Sequence, residues 1–287
     1  MASFVGTHFL AISAVLSMVL SLSSAVDFNY PAAFNFGDSN SDTGGLIAGL
    51  GVELNPPNGK TYFKKPSGRF CNGRLIVDFL SKSRSLYVLL QDLFFWLVDS
   101  ENLRFGVVDA MDLPFLNSYL DSIGRPNFRR GCNFAAAGST VLPATASAVS
   151  PFSFGVQVAQ FFRFKERVLE LLANKGHKLD KYIPAEDFFN QGLYMFDIGQ
   201  NDLAVAFYSK TEVQVVASIP TILLEFETGI KKLYDQGARR FWIHNTGPLG
   251  CLPQNIAVFG KDPSKLDELG CDSKVPPQCA VDMEVHH

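Results

Sequence analysis

The sequence predicts an α/β fold in which a mostly parallel β-sheet is covered by helices on both faces. Two observations support this prediction: apolar runs of strand length alternate with segments of helical periodicity, and several of these runs end in a glycine turn. The chain has 287 residues, of which 47% are hydrophobic and 18% are charged, enough to form one large core. We therefore expect a single globular domain.

The predicted elements follow one another in βα order. The run YPAAFNFGDS predicts a buried strand that ends in a glycine turn and places Ser39 at the carboxyl edge of the sheet. A helix that ends near Gly176 is predicted by the apolar positions Val158, Phe161, Phe164, Val168, Leu171 and Leu172. The run GLYMFDIGQND predicts a further strand. A second helix, ending at Gly237 before the strand FWIH, is predicted by Ile219, Leu223, Phe226, Ile230 and Leu233.

The N-terminal segment has the features of a secretory signal peptide. An apolar stretch from Phe9 to Leu22 precedes small residues, and Ser23 and Ala25 have the spacing of a cleavage site. A membrane anchor is the alternative, but the stretch is short for a span and has no basic flank. We expect residues 1–25 to be removed, with no stable membrane span and with export to the extracellular space or cell wall.

Charge and cysteine content exclude some classes of function. The net charge of −3 provides no basic surface that would attract nucleic acid. One or two disulfides are expected from five cysteines in an oxidising compartment, namely Cys71, Cys132, Cys251, Cys271 and Cys279. Their spacing does not suit zinc, so neither a metal nor a cofactor is predicted. The sequence does not specify an oligomeric state.

Three short segments contain candidate catalytic residues. A serine nucleophile needs a base that accepts its proton and donors that face the developing oxyanion. GDSNSDTGG contains Ser39, GCNFAAAGST contains Gly138, and FDIGQND contains Gly199 and Asn201, each just after an apolar run. Taken singly, these residues are more simply explained as turn or capping residues. Their value as evidence lies in their combination.

In order and context, the segments resemble the conserved blocks of plant GDSL esterases/lipases of the SGNH hydrolase superfamily. FGDSNSDTGG is similar to the first block, GCNFAAAGST to the second, DIGQND to the third, and QGARRFWIHNTGPLGCLP to the fourth conserved region. The match runs from about residue 30 to residue 270. GRLIVDFL, AMDLPFLNSYLDS and NFAAAGST are closest to the branch of early-nodulin-like acetylesterases and α-L-fucosidases.

The resemblance implies a flavodoxin-like, three-layer α/β/α sandwich and a role for each matching residue. Ser39 would be the nucleophile. The backbone N–H groups of Ser39 and Gly138 and the side-chain amide of Asn201 would form the oxyanion hole. The substrate would be an ester of a small molecule, a lipid or a polysaccharide.

The sequence departs from the family pattern at two places. Residues 81–108 form an atypical insertion, and residues 271–287 form an irregular tail. The apolar block Leu86–Val98 of the insertion has the length of a core helix, but on a fold that is complete without it we expect a partly exposed helix packed loosely on the outside. The family's last block, an Asp-x-x-His that supplies the orienting acid and the base, is expected to be missing. The base is therefore unknown. His177 is more simply a solvated loop residue, and His244 a partly buried structural one. Asp282 and His286 have a D-x-x-x-H spacing that differs from the family block, and they lie on a tail that we expect to be too flexible to position a base.

Three functional hypotheses remain open from the sequence. The first is a metal-free serine hydrolase of carboxylic esters. The second is a non-catalytic homologue that lacks the Asp-x-x-His block and binds glycans or acyl groups, or a sequence altered by retained non-coding segments. The third, a glycosidase, is weaker because no pair of carboxylates suited to that chemistry is identifiable.

Overall fold

The computed structural model describes residues 30–81 and 113–271, except 122, 124–125, 147–149, 175–178 and 269. The predicted signal peptide 1–25, most of the insertion 81–108 and the tail beyond residue 271 lie outside the described residues. So do Gly176, His177, Cys279, Asp282 and His286.

The centre of the fold is a parallel sheet of four strands. These are β1 (Ala33–Gly37), β2 (Gly131–Asn133), β3 (Leu193–Asp197) and β4 (Arg240–Ile243), arranged in the order β2-β1-β3-β4. In the register, Ala33 lies opposite Gly131 and Leu193, and Leu193 lies opposite Arg240. All five residues of β1 are buried, as the sequence predicts for a strand covered on both faces.

Seven α-helices are described: α1 (Gly45–Leu50), α2 (Ile76–Ser81), α3 (Phe154–Ala173), α4 (Phe188–Gln191), α5 (Gln200–Ser209), α6 (Glu212–Asp235) and α7 (Pro253–Phe259). The two predicted amphipathic helices correspond to α3 and α6. Helix α3 ends before the predicted cap at Gly176, because the side-chain amide of Asn174 donates to the carbonyl of Glu170 at 2.9 Å. Helix α6 ends before Gly237, as predicted, and this glycine has φ +103°.

Helices cover both faces of the sheet, which gives the three predicted layers. On one face, aromatic residues of β1 and β3 pack on α3 and α6 in a cluster that includes Phe34, Phe36, Phe154, Phe161, Tyr194, Phe196 and Phe226. On the other face, β1 and β3 pack on α2 and its neighbours in a cluster that includes Ala33, Leu75, Val77, Leu80, Leu193 and Met195. The sheet is thereby held rigidly, and its carboxyl edge is left open for a site.

Helix α6 is the one described helix that is long and apolar enough to cross a membrane by length and composition alone. This is weak evidence, because core helices of water-soluble proteins meet the same criteria. The ring of Phe226 in α6 lies 5.2 Å from that of Phe154 in α3, centroid to centroid, so α6 packs against the core. Its outer face exposes the apolar side chains of Val213, Val216 and Leu224.

Candidate active site

The predicted site residues follow the carboxyl ends of neighbouring strands. Ser39 lies two residues after β1, Gly138 lies in the loop after β2, and Asn201 lies in the first turn of α5 after β3. The side-chain amide of Asn201 connects the three segments. It donates to the carbonyl of Ser139 at 2.8 Å, next to Gly138, and to Oδ2 of Asp38 at 3.4 Å, next to Ser39.

The side chain of Gln157 in α3 holds the backbone just before Ser39 in place. This fully buried side chain accepts the N–H of Gly37 at 2.9 Å and donates to the carbonyl of Gly37 at 2.8 Å. Gly37 itself has no room for a side chain, since a Cβ atom there would lie 2.6 Å from the carbonyl oxygen of Asp197. The backbone before the nucleophile is therefore positioned by an amide clamp and close packing.

Two buried aspartates hold the loop that carries Gly138. Asp42 accepts the backbone N–H of Ala137 at 2.7 Å, together with those of Gly44, Gly45 and Leu46 at the start of α1. This carboxylate ties the second conserved block to the first. Gly138 has φ +75°, a left-handed backbone that favours glycine.

Asp202 of α5 holds the same loop on its other side. Its carboxylate accepts the N–H of Val141 at 2.7 Å, the N–H of Leu142 at 3.0 Å and the hydroxyl of Thr145 at 2.8 Å. Asp202 directly follows Asn201 in the chain. The start of α5 therefore provides one predicted oxyanion donor, the side-chain amide of Asn201, and also positions the loop that carries another, the backbone N–H of Gly138.

The carboxyl edge concentrates buried acidic groups. Burial is the largest cause that raises the pKa of Asp38 to about 7; the hydrogen bond from the N–H of Asn40 opposes it, and the nearby carboxylates of Asp197, Asp202 and Asp42 add to it. Burial also raises the pKa of Asp197, although the charge of His244 partly offsets this. Among the residues that the structure describes, no group of three or more His, Cys, Asp or Glu side chains is suited to hold a metal ion.

A cavity of about 430 Å³ lies at this edge and is lined by Ser39. Asn40, Asp197, Gln200 and His244 also line it. The amide of Asn40 donates to Oε1 of Gln200 at 3.1 Å and lies 3.5 Å from a carboxylate oxygen of Asp197. Sequence reasoning did not single out Asn40, Asp197 or Gln200. The sequence feature that could have identified them is their position at or just after the end of a predicted strand.

His244, which the sequence predicts to be structural, lines the cavity that contains the candidate nucleophile Ser39. It follows β4, and its ring lies 5.7 Å from that of Trp242, centroid to centroid. It is the one histidine within the described residues. Within that part of the chain, no hydrogen bond joins Ser39 to a histidine, so the proton acceptor is not identified by a contact.

One wall of the cavity is formed by Phe70, Cys71, Arg74, Leu75 and Ile76. A buried ion pair fixes this wall, with Nε of Arg69 2.7 Å from Oδ2 of Asp78 in α2. The Arg69 guanidinium also lies over the ring of Phe63, at 4.4 Å from its centroid. Asp78 additionally accepts the N–H of Leu75 at 3.0 Å, so α2 and the wall form one unit.

One disulfide, Cys251–Cys271, is present in the described part of the chain, in line with the expected one or two. Cys71 and Cys132 are free thiols there. Cys71 lines the cavity, whereas Cys132 is buried in β2.

Comparison with known proteins agrees with this architecture. The family model "GDSL-like Lipase/Acylhydrolase" matches residues 34–278. The chain is 59% identical over 254 residues to the Arabidopsis thaliana protein "GDSL esterase/lipase At1g54790", covering 88% of the chain and 56% of the relative. It is 53% identical over 266 residues to "GDSL esterase/lipase At3g05180" from the same plant, covering 92% and 62%.

A third relative, "Alpha-L-fucosidase 3" of Arabidopsis thaliana, is 41% identical over 266 residues, covering 90% of the chain and 63% of the relative. The chain thus spans roughly three fifths of the length of these relatives. The matched region includes the four described strands, apart from the first residue of β1, and the three segments that meet at the carboxyl edge. The chain therefore belongs to the GDSL lipase/acylhydrolase family.

Proposed function

We propose that this chain hydrolyses carboxylic esters, with Ser39 as the nucleophile. The oxyanion donors are the backbone N–H groups of Ser39 and Gly138 and the side-chain amide of Asn201. The observation that supports this proposal best is the position of the Asn201 amide, which bonds to residues adjacent to both Ser39 and Gly138. Donors held rigidly around one point are what stabilisation of an oxyanion requires.

The proposed reaction proceeds in two steps. The Oγ atom of Ser39 forms a bond to the ester carbonyl carbon while a base accepts its proton, and the alcohol then leaves with a proton as the acyl-enzyme forms. Water attacks the acyl-enzyme by the same route and releases the carboxylic acid and free Ser39. No metal or cofactor is required for this chemistry.

The base is the part of the proposal that needs a direct test. Asp282 and His286, the weak candidates from the sequence, lie outside the described residues. His244 lines the cavity that contains Ser39, and a neighbouring carboxylate, Asp197, lines it too. A histidine beside a carboxylate has the chemistry of a general base and its partner.

The substrate proposed here is an acyl lipid, an acetylated cell-wall glycan or an acetylated small molecule, met outside the cell after removal of the predicted leader. The glycosidase alternative is weaker. Glycoside hydrolysis uses a pair of carboxyl groups that flank the bond. Among the described residues, Asp197 is the one carboxylate that lines the cavity.

A non-catalytic, ligand-binding homologue is the second candidate. It is favoured by the lack of a hydrogen bond between Ser39 and a histidine within the described residues. This candidate would retain the cavity and its donors, bind acyl or glycan ligands, and leave them unchanged.

Labelling with a fluorophosphonate probe separates the two candidates. We expect the probe to modify Ser39, as located by peptide mass spectrometry. Ser39→Ala should abolish the modification, whereas Ser209→Ala, at an exposed serine that ends α5, should leave it intact. A folded protein that does not react at Ser39 would exclude the hydrolase and favour the binding protein. The variant His244→Gln tests whether the histidine of the cavity activates Ser39. A labelling rate equal to that of the parent chain would exclude His244 as the base.

A further inference from the structure

A second, smaller cavity adjoins the candidate active site. Its volume is about 50 Å³, and it lies between the end of the sheet, α5 and α6. Most of the side chains that line it are apolar, and these include Phe196, Leu203, Ile222, Leu223 and Phe226. An apolar cavity of this kind excludes water and accepts hydrocarbon.

The small cavity is a neighbour of the larger one, because the two share lining residues. Ile198, His244 and Thr246 line both. A ligand that occupies the larger cavity beside Ser39 therefore has an adjacent apolar space on one side and the polar residues Asn40 and Gln200 on the other.

The small cavity also adjoins the proposed oxyanion hole. Gly199, which lines it, lies two residues before Asn201 and has φ +115°. A Cβ atom at Gly199 would have its nearest neighbours at 3.9 and 4.0 Å, on Thr246 and Val141, so the glycine leaves open space at this boundary. A carbonyl oxygen bound by Asn201 would place the carbon chain attached to it next to this opening.

We propose that the small cavity is an acyl subsite that takes a short, unbranched hydrocarbon chain. This inference rests on the proposed ester hydrolysis and names the acyl part of its substrate. An apolar cavity of about 150 Å³ holds one benzene molecule. By that measure a cavity of about 50 Å³ holds about two carbon atoms, so the two terminal carbons of a butyryl group fit it, whereas an acetyl group leaves it empty and a long fatty acyl chain exceeds it.

The size of the effect follows from hydrocarbon burial. Each methylene group that is buried contributes about a fourfold change in affinity. Two additional methylenes should therefore make kcat/KM for the nitrophenyl butyrate ester on the order of tenfold higher than that for the acetate. The decanoate should be worse than the butyrate, because its chain exceeds the cavity.

Two substitutions on α6 provide a matched test. Leu223 lines the small cavity, whereas Leu224 is adjacent in the chain and 63% exposed. Leu223→Phe should bring the butyrate-to-acetate ratio close to one, since the larger ring fills the cavity. Leu224→Phe should leave the ratio unchanged. Equal ratios in the parent chain and both variants would overturn the inference, even if Ser39 remains reactive.

A binding measurement keeps the test independent of turnover. In Ser39→Ala protein with labelled isoleucine methyl groups, butyramide should shift the methyl resonances of Ile222 and Ile243, which line the small cavity. Acetamide should shift them much less, and Leu223→Phe should remove the butyramide effect. Shifts without any labelling of Ser39 in the parent chain would support the subsite and reject the hydrolase. Labelling of Ser39 without any shift of the methyl resonances would support the hydrolase and reject the subsite.

Discussion

Asp38 lies in an environment that differs strongly from the water in which a carboxyl group ordinarily ionises. It precedes Ser39, is buried, and is surrounded by three other aspartates at the carboxyl edge. Burial disfavours the charged carboxylate, and two hydrogen bonds offset part of this: the carboxylate accepts the N–H of Asn40 at 3.0 Å and the side-chain amide of Asn201 at 3.4 Å. Its protonation should therefore affect both stability and the geometry beside Ser39.

We predict that Asp38 makes the fold less stable as pH rises. Its pKa is about 7 when folded, against an ordinary 3.8. Between about pH 4 and pH 7, the folded protein retains a proton that the unfolded chain has released, so the free energy of unfolding falls as pH increases. Each unit of pKa difference corresponds to ~1.4 kcal/mol. Urea unfolding at several pH values should show that the free energy of unfolding falls less steeply with pH in Asp38→Asn than in the parent chain. The same dependence on pH in both proteins would contradict this prediction.

Asp202 supports a second prediction at the same scale. Its carboxylate is the acceptor for two backbone N–H groups and one hydroxyl in the Gly138 loop, which Asp202→Ala would leave without their partner. We expect a loss of about 2–4 kcal/mol of stability and slower probe labelling of Ser39. Denaturant unfolding and labelling rates measure the two effects. Asp235→Ala, at an exposed position that ends α6, is the control and should change neither.

At the scale of elements, the end of β1 determines where Ser39 lies. Gly37 is the last residue of the strand, its peptide is clamped by Gln157, and its Cα is packed against β3. A change of one methyl group at this position would push β1 and β3 apart at the edge that forms the site. The element thus couples sheet packing to the placement of the nucleophile.

A pair of glycine substitutions tests this coupling. Gly37→Ala should destabilise the protein by about 1–3 kcal/mol through overpacking and reduce Ser39 labelling. Gly155→Ala, in α3 where a Cβ meets nothing within 4 Å, should instead stabilise by up to ~1 kcal/mol, because alanine favours a helix. Thermal unfolding and labelling of both variants provide the comparison. A Gly37→Ala protein as stable and reactive as the parent would refute the coupling.

The elements that the sequence predicts best are those with a strong local signal. The apolar runs that end at Gly37 and Asp197, and the helical periodicity around Phe161 and Phe226, identify β1, β3, α3 and α6. Helix ends depend on single hydrogen bonds such as that of Asn174, which periodicity does not reveal. Gln157 looks like an ordinary surface residue, and its clamp on Gly37 depends on contact between distant segments.

At the scale of the whole molecule, the order of the strands determines the composition of the site. Since β3 lies between β1 and β4, the ends of three strands bring Ser39, Asp197 and His244 to one cavity. Sequence reasoning could place Ser39 and Asn201 at the carboxyl edge from their neighbours in the chain. It could not identify Asp197 and His244, because their roles depend on which strands are adjacent.

Disulfide connectivity is likewise a property of the whole molecule, since five cysteines permit many pairings. The disulfide joins Cys251, which follows β4, to Cys271, 20 positions later. The segment that it closes includes α7. Closing a loop of this size restricts the unfolded chain and contributes about 3 kcal/mol of stability. The cross-link should therefore stabilise the C-terminal part of the described chain, whose strand β4 borders the cavity.

We predict that removing this disulfide by Cys251→Ser and Cys271→Ser lowers the midpoint of thermal unfolding by about 6–12 °C, which corresponds to ~3 kcal/mol for a domain of this size. Treatment of the parent chain with a reductant should have the same effect, whereas the double variant should not respond to it. Cys71→Ser is the control, because Cys71 is a free thiol, and its melting should still depend on reductant. A double variant that melts at the same temperature as the parent would show that the bond does not limit stability, and the closed segment would then have to be held by contacts such as the hydrogen bond from the side-chain amide of Asn255 to the carbonyl of Leu249, at 2.7 Å.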